Sequence, residues 1–223
     1  MQKLLVFKMK LPKFKNSWDY ENNFLLSCQN SRIAKMLAYY ELYKIASKKS
    51  GDFVLGGVFR GISTVEFSTF INLFEKSSKQ KLIVFDEFKK FPKNNNDLKS
   101  LTVIKQMGEK GITKSQLGLV LKNKKIKNVE MIKGKITKIV LDYVSSHPKL
   151  KISLLNMDID IFDRELLSLK ILYPFVTKGG VIILNDYGVF NYETKIIDNF
   201  IKNKNLEIKK LSFAKTPLYI IKK

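Results

Sequence analysis

The chain has one cysteine, Cys28, and one histidine, His147. A lone cysteine excludes an internal disulfide and any cage of cysteine ligands around a metal. It fits a reducing, cytoplasmic setting. The histidine stands beside Pro148 at the end of a helical pattern, where a surface-loop role outweighs a catalytic one. Arginine is scarce: of 41 basic residues only Arg32, Arg60 and Arg164 carry a guanidinium. Acidic residues number 20, so the formal net charge is +21. Such a charge can serve nucleic acid or an anionic membrane surface. Yet arginine is the preferred tool for reading bases and phosphates. The lysines are scattered along the whole chain, beside abundant asparagine and isoleucine, as AT-rich coding would give. No sequence-specific nucleic-acid partner is therefore expected. No apolar run approaches the ~18 residues of a membrane span. The apolar stretch at the start is broken by Lys8 and Lys10 and is too short for a signal peptide. Internal repeats and low-complexity tracts are also missing. Hydrophobic residues make up 45% of the 223, enough for one sizeable core.

The most informative stretch runs from Lys151 to Tyr187. It holds two apolar runs of strand length, Ile152–Met157 and Val181–Leu184, around a helical pattern from Asp163 to Tyr173. That is a strand–helix–strand unit, so the two strands should lie parallel. Each run ends in acid or amide side chains: Asp158 and Asp160 after the first, Asn185 and Asp186 after the second. In an open parallel sheet the ligand site lies beyond the carboxyl ends of the strands. Both polar clusters should meet there. Asp158 and Asp160 are two apart, so an extended backbone points both the same way.

The rest of the chain reads as alternating strands and helices. Residues 1–16 suit an edge strand or a loose arm. Ser31–Ser47 has apolar residues near helical spacing, with Ser31 a candidate cap, and reads as an amphipathic helix packing on the main domain or a partner subunit. Gly51 marks a boundary between residues 1–50 and a main domain over 51–223. Asp52–Val58 is a strand, Gly56–Ser63 a glycine-bearing turn and Thr64–Glu75 a helix. A backbone approaches a nucleotide-like ligand through such a turn, although glycine turns are also common without one. Leu82–Phe85 is a strand ending in Asp86, about 30 residues after the first, the length of one βαβ unit. An acid there can hold a ribose diol, or can cap a helix or sit in a solvated turn. Lys89–Asp97 is a polar loop or lid. Thr113–Leu121 is a capped helix, Val129–Ile132 a strand and Thr137–Ser146 a helix. Glu193–Phe200 is helical. Ile208–Leu211 and Leu218–Ile221 are two last strands, with a link short enough for an antiparallel hairpin at the sheet edge. Seven strands with interleaved helices make an α/β layer architecture.

Four stretches, in order, resemble the motifs of the macrocin O-methyltransferase (TylF-like) family of S-adenosylmethionine-dependent sugar O-methyltransferases. They are GDFVLGGVFRGIS (51–63), VFDEFKKFP (84–92), LLNMDIDIFD (154–163) and LYPFVTKGGVIILNDYG (172–188). The resemblance implies a class I methyltransferase fold, Rossmann-like, with a seven-stranded mostly parallel sheet, helices on both faces and an antiparallel last strand. It implies S-adenosylmethionine bound over the first two strands by Gly57, Val58, Arg60, Gly61, Ser63, Asp86 and Phe88. It also implies a divalent cation, Mg²⁺, held by Asp158, Asn185 and Asp186, with Asp160 as the base.

The chemistry of these side chains agrees with that assignment. A sugar hydroxyl is a poor nucleophile at neutral pH. Metal coordination lowers its pKa, and a nearby carboxylate takes the proton. An all-oxygen ligand set favours a hard cation. Three positions depart from the family: Leu55 and Asn185 replace acids, and Lys135 stands where an Asp is common. Asn185 offers a carbonyl oxygen but no charge, which should weaken the cation site. The expected function is a metal-assisted O-methyltransferase acting on a sugar-containing small molecule or glycan. The alternative is a methyltransferase-like protein that binds cofactor or partner without catalysis. The family often assembles through its N-terminal helices, which makes Ser31–Ser47 a candidate homo-oligomer interface.

Overall fold

The computed structural model describes residues 10–74, 80–89, 111–158, 162–185, 187 and 191–223. Most of the expected Lys89–Asp97 loop lies outside them. The sheet has seven strands: β1 (Asp52–Gly56), β2 (Leu82–Asp86), β3 (Val129–Lys133), β4 (Ile152–Met157), β5 (Val176–Leu184), β6 (Ile208–Lys209) and β7 (Leu218–Ile221). Their order is β3-β2-β1-β4-β5-β7-β6. The pairs from β3 to β5 are parallel, and β7 runs antiparallel to both β5 and β6. The α/β class and the antiparallel end of the sheet are as the sequence implied.

Among the described residues, seven α-helices connect and cover the strands: α1 (Ser17–Ser27), α2 (Asn30–Ala46), α3 (Ile62–Phe74), α4 (Lys114–Asn123), α5 (Ile136–Ser146), α6 (Phe162–Leu172) and α7 (Asn191–Asn203). The central strands are buried on both sides, so their residues alternate between two apolar layers. Phe53, Leu55, Leu154, Val181 and Ile183 pack with α2, α3 and α4 through Tyr39, Leu42, Tyr43, Phe67, Ile71 and Leu117. Val54, Leu155, Met157, Ile182 and Leu184 pack with α5, α6 and α7 through Val140, Leu169, Leu172, Ile197 and Phe200. Helix α2 is therefore built into one layer. Its Tyr43 ring stands edge-on to Phe53 at 5.9 Å, and its Tyr39 ring lies 5.0 Å from Phe67.

Several local expectations change. Ser31 does not cap α2: the helix begins one residue earlier, and Gln29 stands at the cap position without a side-chain bond. The strand expected over Ile208–Leu211 is shorter, because only Ile208 and Lys209 pair with β7. Thr113, in contrast, caps α4 as expected, in a reciprocal capping box with Gln116. No helix among the described residues is long and apolar enough to cross a membrane.

Candidate active site

The strand order reverses between β1 and β4: the chain proceeds from β1 outward to β2 and β3, then returns to β4. A crevice opens at such a point, beyond the carboxyl ends of the strands. Gly56 and Met157 are in register there. The next residue, Asp158, donates its N–H to the Gly56 carbonyl at 2.7 Å, so the two strand ends remain joined as the chains part.

The turn after β1 is tightly wound. Gly57, Phe59 and Gly61 have φ of 92°, 46° and 81°. Gly61 donates to the Val58 carbonyl at 2.7 Å, and α3 begins immediately afterwards. A Cβ on Gly61 would lie 3.1 Å from Leu117 Cδ1, so both the backbone and the space favour glycine. The first N–H groups of a helix have no acceptor within it, so the start of α3 offers donors to an anionic or polar ligand. Ser63 is buried in this first turn. So is Thr64, whose Oγ1 has no hydrogen-bond partner among the described residues.

Asp86 braces the turn from the neighbouring strand. Its Oδ2 accepts the Val58 N–H at 2.7 Å, and its carboxylate also takes the N–H groups of Phe88 and Phe59. Burial raises the Asp86 pKa, and the three main-chain donors oppose that rise. Phe88 is buried and has φ of 50°, which returns its N–H to the carboxylate. Of the seven residues expected around a cofactor, Val58, Asp86 and Phe88 are thus directly bonded. Gly57, Gly61 and Ser63 shape the same turn and helix start. Arg60 is exposed, with its guanidinium 5.4 Å from the centre of the Phe59 ring. Lys135 is exposed at the start of α5.

The expected metal group is placed only in part. Met157 pairs with Leu184, so Asp158 and Asn185 follow at the same level of adjacent strands, as their spacing implied. Asp158 is half-buried. Asn185 is 2% exposed, and both ends of its amide are engaged. Its Oδ1 accepts the Tyr39 hydroxyl at 2.6 Å, and its Nδ2 donates to Asn156 Oδ1 at 2.5 Å. Asp160 and Asp186 lie outside the described residues. Among the described residues no three His, Cys, Asp or Glu side chains gather as a metal group. Tyr39 and Asn156 were not anticipated. They belong to a helix and a strand face whose residues otherwise read as core.

The macrocin-O-methyltransferase (TylF) family profile matches residues 31–213. The chain belongs to this family. It is accordingly an S-adenosylmethionine-dependent O-methyltransferase. The TylF match begins within α2 and includes all seven strands except β7. Among solved structures, the calicheamicin methyltransferase CalS11 superimposes with a TM-score of 0.71 at 17% identity, covering 96% of this chain and 86% of that one. An apo form of CalS11, described as a TDP-rhamnose 3'-O-methyltransferase, gives 0.68 at 16% identity, covering 96% and 87%. The O-methyltransferase NovP gives 0.67 at 16% identity, covering 82% and 78%. At these identities the structural likeness speaks for the fold. No curated protein matches the sequence.

Proposed function

We propose that this TylF-family chain transfers a methyl group from S-adenosylmethionine to a hydroxyl of a sugar-containing acceptor, a nucleotide sugar, a surface glycan or a natural-product sugar. The observation that carries the proposal is the family match across residues 31–213, which includes all four motif stretches. The CalS11 and NovP structures support the same direction through their fold.

The described residues fit the cofactor. Two glycines at positive φ keep side chains away from the turn, and the start of α3 presents N–H groups beside it. Three main-chain bonds leave the Asp86 carboxylate about one acceptor site, which suits a ribose hydroxyl. The bound cofactor would supply a methyl group already activated by its sulfonium. The chain's own task is then mainly alignment of the acceptor oxygen with that methyl. Asp160 is assigned the base: the acceptor hydroxyl gains the methyl and loses its proton to this carboxylate.

The cation is less well matched. Asp158 is a suitable hard ligand at the end of β4. Asn185 does not fit as it stands, because Tyr39 takes its carbonyl oxygen inside the protein. The test is methyl transfer from labelled S-adenosylmethionine to a panel of nucleotide sugars, followed by mass spectrometry. A methylated sugar that Asp160→Asn no longer produces, with S-adenosylhomocysteine still bound, supports the proposal. Cofactor binding without transfer to any sugar would overturn the sugar acceptor.

A further inference from the structure

We propose that Asn185 is the centre of a buried neutral clamp, Tyr39–Asn185–Asn156, which holds α2 on the carboxyl end of the sheet, and that its side chain is withheld from any cation.

The geometry supports this in three ways. First, both ends of the amide are used at short distances, 2.6 Å from the Tyr39 hydroxyl and 2.5 Å to Asn156. The oxygen's second lone pair belongs to an amide that is almost wholly enclosed, so a metal would have to open the clamp to reach it. Breaking a buried hydrogen bond exposes the full desolvation penalty of the group left behind. Second, the contacts span three separate parts of the chain. Tyr39 is 146 residues from Asn185, and Asn156 is 29 residues from it on the adjacent strand. Tyr39 is itself fixed by its packing on Phe67. Third, the surroundings are apolar. Asn156 is fully buried, in register with Leu55 on β1 and Ile183 on β5. A carboxylate at position 185 would keep the Tyr39 hydroxyl as a donor and meet the Asn156 amide, whose Nδ2 has no partner among the described residues, in an otherwise apolar setting.

The clamp also has a functional consequence. Asn185 directly follows Leu184, the last residue of β5, and Tyr39 on α2 bonds it there. Tyr39 is therefore a positioning residue for this end of the site. It fixes where the chain leaves the sheet, beside Asp158.

Unfolding and cation binding test the clamp without requiring methyl transfer, so its failure is distinguishable from failure of the proposed activity. Tyr39→Phe keeps the ring and removes only the donor. Tyr39→Phe and Asn185→Leu should each lower the unfolding midpoint, and the double variant should fall no further than the lower single variant. In a Mn²⁺ titration, wild type, Asn185→Ala and Asn185→Asp should agree within about twofold, or none should bind. Tyr39→Phe unfolding at the wild-type midpoint would overturn the clamp, as would full additivity with Asn185→Leu. A gain of tenfold or more in Mn²⁺ affinity with Asn185→Asp would place residue 185 at a cation. If the Asn185 variants do not fold, Tyr39→Phe decides by its midpoint and by Mn²⁺ affinity, which should match wild type.

Discussion

The Asp86 carboxylate at the end of β2 accepts the Val58 main-chain N–H from the turn after β1 at 2.7 Å. This bond joins the two strands' carboxyl ends above their last paired residues. It makes the acid part of the turn's framework as well as a candidate ribose acceptor. Asp86→Asn should separate the two contributions poorly, because the amide turns an N–H₂ towards one of the main-chain donors. The expected result is a loss of about 1.5–3 kcal/mol of stability, the scale of hydrogen bonds to a charged group. S-Adenosylhomocysteine affinity should fall about tenfold or more. Urea unfolding and calorimetry on the same preparation check both. Wild-type cofactor affinity in a destabilised Asp86→Asn would show that the carboxylate serves the turn alone.

Gly61 tests the turn from the other side. Its φ of 81° is costly for any residue with a Cβ, and the added atom would press on Leu117 at 3.1 Å. Gly61→Ala should lose about 1–2 kcal/mol from the backbone alone. The start of α3 should shift with it, weakening S-adenosylhomocysteine binding. An unchanged thermal midpoint and an unchanged affinity would mean that the turn relaxes freely.

What was legible in the sequence was local. The Thr113–Gln116 capping box lies within four residues, and β4 ended where its apolar run ended. The glycine pair that hid the first half of β5 is more instructive. Gly179 and Gly180 interrupt the apolar run, yet the strand reaches back to Val176. Gly179 has φ of 76° and donates to Lys222 at 2.7 Å, so it is held by β7's end and by no local signal. Helix α1 was missed for a different reason. Trp18, Leu25 and Leu26 are exposed and none of its residues is buried, so no single apolar face marks it. At the site, the side-by-side placement of Asp158 and Asn185 followed from strand spacing. The hydrogen bond from Tyr39 could not, because the two residues meet only through the packing of α2 on the sheet.

Lys222 offers a prediction away from the site. Its Nζ donates to the carbonyls of Tyr173 at 2.9 Å, Pro174 at 3.3 Å and Val176 at 2.7 Å. It also stands 4.6 Å from the Tyr173 ring centre. Burial, and then the nearby Lys204, lower its pKa. One ammonium thus closes the turn that links α6 to β5. Lys222→Met keeps the stem and removes the donors, which should cost about 1–3 kcal/mol. Chemical denaturation measures it. A stability equal to wild type would show that water replaces the ammonium at these carbonyls.

Glu66 gives the chain a pH dependence of unusual sign for an acid. It lies half-buried on α3, and burial raises its pKa from 4.5 to about 7, with Lys35 on α2 pulling the other way. In the unfolded chain the group titrates near 4.5. Between those values the native state holds a proton that the unfolded state has released. Stability therefore falls as pH rises through that window, and the loss is complete above the folded pKa. Each pK unit corresponds to about 1.4 kcal/mol, and solvent relaxation reduces the total, so a loss on the order of 1–3 kcal/mol is expected. Asp86, whose pKa burial also raises, acts in the same direction. The difference between wild type and Glu66→Gln isolates the glutamate from it. Glu66→Gln should match wild type below about pH 4.5 and exceed it by that amount at pH 8. Lys35→Met should do the opposite, deepening the loss at pH 8, since it removes the cation facing the carboxylate. Urea midpoints for the three proteins at pH 4.5, 6 and 8 decide the matter. If Glu66→Gln runs parallel to wild type across all three, the glutamate titrates in the native state as it does in the unfolded chain, and the α2–α3 surface around it is wetter than its burial implies.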